Sequence, residues 1–150
     1  MTYKIANALR LISILILVVV FFIFYAGLPE QVLVLIDELG NPTLYFPRDT
    51  FFYGTLSILI VANALLYMLS ILLSKSTQET LKGVANYSML LAVVVNVFFG
   101  VSLTFLGILN GRENFDYSSF APFFYMSGSL FLIWVIFFLI SILRQKASLK

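Results

Sequence analysis

Four stretches of this chain carry no charged residue and run for about the thickness of a bilayer. They are Leu11–Pro29, Phe51–Ser74, Gly83–Gly111 and Tyr117–Leu143. A hydrocarbon core requires about 20 mainly apolar residues per spanning helix. In lipid, backbone N–H and C=O groups must be satisfied within the protein, so only helices or a closed barrel can cross. Barrel strands alternate polar and apolar residues, and Val18-Val19-Val20-Phe21-Phe22 and Val93-Val94-Val95 do not. Composition points the same way: 61% of the 150 residues are hydrophobic and 11% are charged, whereas a soluble domain carries about 25% charged residues. A water-soluble fold of this size could not hide so much apolar surface. The expectation is an all-α membrane protein, an antiparallel four-helix transmembrane bundle forming a single membrane domain over residues 1–150. Its helices fall at about 9–28, 51–74, 84–109 and 118–143, with an outer loop at 29–50. The first span is expected to be an uncleaved helix rather than a signal peptide: its apolar core exceeds the usual 7–15 residues, and Phe24-Tyr25-Ala26 offers no A-x-A cleavage site.

Basic residues in short loops set orientation. With four spans, the N-terminus, the second loop and the C-terminus share a side that holds Lys4, Arg10, Lys75, Lys82, Arg144, Lys146 and Lys150. Arg48 and Arg112 lie opposite, together with Glu30, Asp37, Glu38, Asp49, Glu113 and Asp116, leaving Glu79 as the acidic residue on the first side. Both termini are therefore expected in the cytoplasm, in a multi-pass protein of the cytoplasmic (inner) membrane. The Lys and Arg residues read as tail and loop residues that hold topology and touch anionic head groups. A net charge of +2 without a basic stripe gives no reason to expect nucleic acid as a partner.

In the outer loop, Leu28-Pro29 ends the first helix, since proline cannot continue the hydrogen-bond ladder. Val32–Ile36 and Thr43–Phe46 read as strands around a Gly40-Asn41-Pro42 turn. The result is a short extracytoplasmic hairpin, which must pack on something because an isolated two-stranded ribbon is marginal. Asn110-Gly111 fits a helix end with a left-handed glycine cap. Phe51, Phe52, Tyr53, Phe115, Tyr117, Phe120, Phe123, Phe124 and Tyr125 form an interfacial aromatic belt. Arg48, Asp49, Arg112, Glu113 and Asp116 are a candidate polar cluster at the outer rim, read first as loop-tying ion pairs and second as a ligand or cation site.

No Asp, Glu, Lys or Arg is expected deep in a span, which argues against ion-coupled transport. Asn63 and Asn96 fall near the centres of their spans, where their simplest use is a hydrogen bond between the second and third helices. Ser88, Ala92, Asn96, Gly100 and Thr104 recur at steps of four and form a small, polar stripe for close helix packing or for a cavity. Gly54 and Ser57 in the second span and Ser127-Gly128-Ser129 in the fourth offer matching small surfaces. Trp134 sits nearer mid-membrane than a belt tryptophan, so its indole N–H needs a partner inside the bundle. The chain has no Cys and no His, which removes thiolate chemistry and imidazole-based catalysis or metal ligation; no cofactor is expected.

Tyr25-Ala26-Gly27-Leu28-Pro29-Glu30, Gly40-Asn41-Pro42, Arg48-Asp49-Thr50-Phe51-Phe52-Tyr53 and Asn110-Gly111-Arg112-Glu113-Asn114-Phe115-Asp116-Tyr117 together resemble a family of small four-span membrane proteins of Bacteroidota. Some sequences of that kind carry a DNA topoisomerase IV label, an activity for which this chain has neither an acidic metal cluster nor a DNA-binding surface. The Leu28-Pro29 and Gly40-Asn41-Pro42 layout is also loosely similar to the domain of unknown function in Sdp-type immunity membrane proteins. Those proteins continue with a His and a Lys around the turn that are lacking here, so no site residue carries over.

The functional expectation is a non-catalytic accessory or oligomeric component of an envelope complex, with the lipid bilayer, itself or other membrane proteins as partners. The first alternative is a binder or passive carrier of a small apolar molecule or lipid, working through Asn63 and Asn96. A membrane enzyme using outer-rim carboxylates is the second.

Overall fold

The computed structural model describes residues 3–37, 41–77, 79–111 and 120–147. In chain order its elements are α1 (Tyr3–Ala26), β1 (Gln31–Ile36), β2 (Pro42–Pro47), α2 (Arg48–Ser74), α3 (Glu79–Gly111) and α4 (Ala121–Ala147). All four helices are long and apolar enough to cross a membrane. They pack into an antiparallel all-α bundle. One end of it carries the start of α1, the α2–α3 connection and the end of α4; we call this the terminal face. The hairpin lies at the other end.

α1 begins at Tyr3 rather than near residue 9. The polar residues at its start do not delay the helix, because long side chains keep good helix propensity. The earlier start corrects the reading of Arg10 as a tail residue: it lies on the buried face of α1 with Ala6, Leu17, Phe21 and Phe24. α3 is the longest helix at 33 residues. At 1.5 Å per residue it reaches about 50 Å, well beyond a hydrocarbon thickness of about 30 Å, and it carries Asn110 out to the level of the hairpin.

Packing centres on α3, whose main interfaces are with α1, α2 and α4. The α1–α2 crevice is filled toward the hairpin end by rings: Phe21 stacks on Phe52 at 5.1 Å, Phe24 meets Phe51 edge-on at 5.9 Å, and Tyr25 lies 4.3 Å from Phe52. These rings join Leu17, Leu28, Val32, Leu59 and Leu103 in the main apolar core. Part of the expected belt is therefore interior. Phe51 and Phe52 pack between helices, as do Phe120 and Phe124 against Phe105, while Tyr53 and Tyr125 stand exposed in the manner of interfacial anchors. Filling a crevice between helices that are held apart takes wide side chains, and rings supply the width. Phe115 and Tyr117 lie outside the described residues.

The hairpin is antiparallel, with Val32 opposite Phe46 and Leu33 opposite Tyr45, and with register irregularities between Leu33 and Ile36. Asp37 closes its described end: its carboxylate accepts the Asn41 N–H at 2.7 Å, and its own N–H donates to the Asn41 carbonyl at 2.9 Å. The Arg48 N–H donates to the Glu30 carbonyl at 2.9 Å, joining the start of α2 to the start of β1. Counting alternately from that bond turns the Leu33 N–H and C=O toward the outer edge of β1. There the Asn110 side chain takes both, accepting from the Leu33 N–H at 2.8 Å and donating to its C=O at 2.9 Å. One amide thus imitates a neighbouring strand and docks the ribbon on α3. This also changes the reading of the α3 terminus. The helix continues through Gly111, whose backbone is not left-handed, since the Asn110 side chain is engaged by the hairpin from a helical position.

Candidate functional site

The polar interior is a connected chain across three helices. Asn63 on α2 and Asn96 on α3 exchange two amide hydrogen bonds, Asn63 Nδ2 to Asn96 Oδ1 at 2.8 Å and Asn96 Nδ2 to Asn63 Oδ1 at 3.1 Å. Asn96, 2% exposed, also donates to the Ser13 hydroxyl on α1 at 2.9 Å. Asn63 donates further to the Leu59 carbonyl at 3.0 Å, and the Ser13 hydroxyl donates to the Arg10 carbonyl at 2.8 Å. Such bonds are the expected glue between helices in lipid, where an unsatisfied amide has no water to turn to. The pair is consumed by direct contact, so the two amides do not stand free around a central cavity.

One turn toward the terminal face lies Arg10. It is 8% exposed, its Nε and Nη2 donate to the Asn7 Oδ1 at 3.3 and 3.2 Å, and its guanidinium sits 4.3 Å from the centroid of the Tyr67 ring. Sequence reasoning placed no ionisable residue inside a span. The available signal was Asn7 three residues before Arg10, on the same face of a helix that starts earlier than hydropathy indicates.

The small-residue stripe divides. Ser88 and Ala92 are buried, with the Ser88 hydroxyl bonded back to the Val84 carbonyl at 3.2 Å. A Cβ on Gly100 would lie 3.9 Å from Leu17, and one on Gly107 would come within 2.9 Å of the Phe24 ring. Gly100 of the stripe and Gly107 beside it therefore both face α1, with the tighter approach at Gly107. Gly54 and Gly128, offered above as matching surfaces on α2 and α4, meet nothing within 4 Å. Toward α2, α3 uses Ala85 instead, whose carbonyl accepts the hydroxyl of the fully buried Ser70 at 2.8 Å. Thr104 is exposed, with its hydroxyl bonded to the Gly100 carbonyl at 2.8 Å.

Thr104 and Gly100 form part of the floor of the largest depression described, a groove of about 630 Å³ along α3 between α1 and the start of α4. Ile16, Val97, Phe120 and Phe123 supply apolar walls, and Ser13 and Asn96 the polar spots. A second depression of about 470 Å³ lies between α3 and α4 beside Trp134, whose indole N–H donates to the Tyr87 carbonyl at 2.9 Å and whose ring stacks on Phe138 at 5.2 Å.

Of the expected outer-rim cluster, Arg48 and Asp49 occupy the exposed first turn of α2, with the Arg48 guanidinium 5.6 Å from the Tyr25 ring centroid. Arg112, Glu113 and Asp116 lie outside the described residues. Among the described residues no three His, Cys, Asp or Glu side chains gather as a metal site would require. Compared with known proteins, the chain matches no family model, no curated protein and no solved structure.

Proposed function

We propose that the protein acts by association inside the membrane, as a non-catalytic accessory subunit or as a homo-oligomer. The carrying observation is the open groove along α3, which runs between α1 and α4 and is walled by apolar side chains over a floor that includes Gly100. An open apolar trough of this kind can receive a partner's helix, since association in lipid rests on van der Waals packing. The interior amides are engaged within the chain, so a partner would meet the groove or the exposed apolar faces of the helices. The Bacteroidota resemblance accords with a small component of this kind. Both termini are placed in the cytoplasm and the hairpin outside, on the charge asymmetry of the loops.

Purification in mild detergent followed by mass measurement tests the reading. The expected species is heavier than one 17.0 kDa chain, and Thr104→Trp, which fills the groove floor without touching the buried core, returns it to a monomer. A strictly monomeric wild-type species with no co-purifying membrane protein overturns the proposal. A second reading, carriage of a small apolar molecule, draws on Ser13 and Asn96 as polar spots in the same groove. Its mark would be a co-purifying apolar compound displaced by Thr104→Trp.

A further inference from the structure

We propose that Arg10 anchors an anion site at the terminal-face mouth of the α1–α2 crevice, and that this site takes the phosphate group of an anionic phospholipid. The guanidinium is a cation with five N–H donors, yet it is more than nine-tenths buried on a helix long and apolar enough to cross a membrane. It lies seven residues beyond Tyr3, the start of α1, or about 10 Å along the axis. A charge so buried among protein atoms calls for a paired counter-charge. Asn7 and the Tyr67 ring supply only neutral partners. Of the guanidinium's five N–H donors, Asn7 engages two. The described carboxylates of Glu30, Asp37 and Asp49 belong to the hairpin and its flanks, at the far end of the bundle. The side chain of Glu79, the acid at the terminal face, lies outside what is described; among the described carboxylates none serves Arg10.

The shape of the crevice agrees. Rings close it at the hairpin end, while in the terminal half Arg10 reaches over Tyr67 to bridge α1 and α2. The exposed Lys4 and Lys75 flank that same end and raise the local positive potential. Basic pockets between transmembrane helices near the head-group level are suited to phosphate-bearing lipids. A guanidinium fork suits phosphate oxygens better than an ammonium does.

The test uses the full chain in mild detergent, offered equal amounts of phosphatidylglycerol and phosphatidylcholine and read by native mass spectrometry. Wild type should retain phosphatidylglycerol in preference by about fivefold, the factor expected of one basic residue at an anionic surface. Arg10→Gln should abolish the preference, and Lys4→Gln should keep most of it. Millimolar inorganic phosphate separates the sources of the anion: failure to displace the lipid assigns the site to head groups, and displacement assigns it to phosphate from water. Should Arg10→Gln not fold, Arg10→Lys keeps the charge without the fork and should retain less lipid than wild type. Absence of any preference in the wild type overturns the site. So does an equal loss in Lys4→Gln, which would mark a general surface attraction.

Discussion

At the scale of single residues, the strongest demands fall where α1 meets α3. The Phe24 ring already stands within 2.9 Å of where a Gly107 Cβ would be, so Gly107→Val must displace a buried ring. Overpacking of this kind costs about 1–3 kcal/mol, and thermal unfolding in detergent should show it. Gly54→Ala, with nothing within 4 Å of the new methyl, should be neutral or slightly stabilising, because alanine is the better helix former. Asn96 is the hub of the interior network, bonded to both Asn63 and Ser13. A double-mutant cycle on Asn63→Ala and Asn96→Ala should return a coupling of about 0.6 kcal/mol and not above about 2. A coupling of zero would mean that the amides find equal partners elsewhere. The positions of Asn63 and Asn96 near mid-span could be read from the chain. The third member, Ser13, could not, since nothing in the order of residues states which side of α1 faces α3.

At the scale of elements, the hairpin depends on Asn110. Its amide occupies both backbone groups of Leu33 and also donates to the Leu106 carbonyl at 2.8 Å. Asn110→Leu removes that docking while preserving bulk, and the Leu33 amide should then exchange hydrogen markedly faster than in the wild type. An unchanged exchange rate would place the anchoring elsewhere, in the Val32 contact with the core. α4 offers a separate readout, for Trp134 is the sole tryptophan. Its indole is fixed by Tyr87 and Phe138, and the Tyr87 ring meets Phe138 at 5.7 Å. Phe138→Ala should cost about 0.5–1.5 kcal/mol beyond the lost area and alter the Trp134 emission as α4 loosens on α3. The strands were legible from the chain because short β-branched and aromatic runs bounded by turn residues are local signals. Of the expected Gly40-Asn41-Pro42 turn, Gly40 lies outside the described residues and Pro42 already opens β2. The partner of the ribbon was not legible, since Leu33 and Asn110 lie 77 residues apart.

At the scale of the whole molecule, four apolar helices make a multi-pass membrane protein, and its orientation can be tested directly. The chain has no native cysteine, so single replacements are clean reporters. With both termini in the cytoplasm, Asp37→Cys should react with an impermeant thiol reagent in intact cells, and Lys146→Cys only after lysis. The reverse pattern would invert the protein and move the Arg10 site to the opposite leaflet.

The order of residues by itself settled the number of spans, because hydrocarbon imposes a length and a polarity that each segment meets or fails alone. It also settled the hairpin, and it excluded thiol and imidazole chemistry. Tertiary structure decided which helix is central, which glycines are approached, which rings face one another and where Arg10 sits. Each of these depends on the rotation of one helix about its axis relative to another, and thus on contacts between residues far apart in the chain. An all-round apolar helix carries little record of that rotation, since any of its faces is acceptable to lipid.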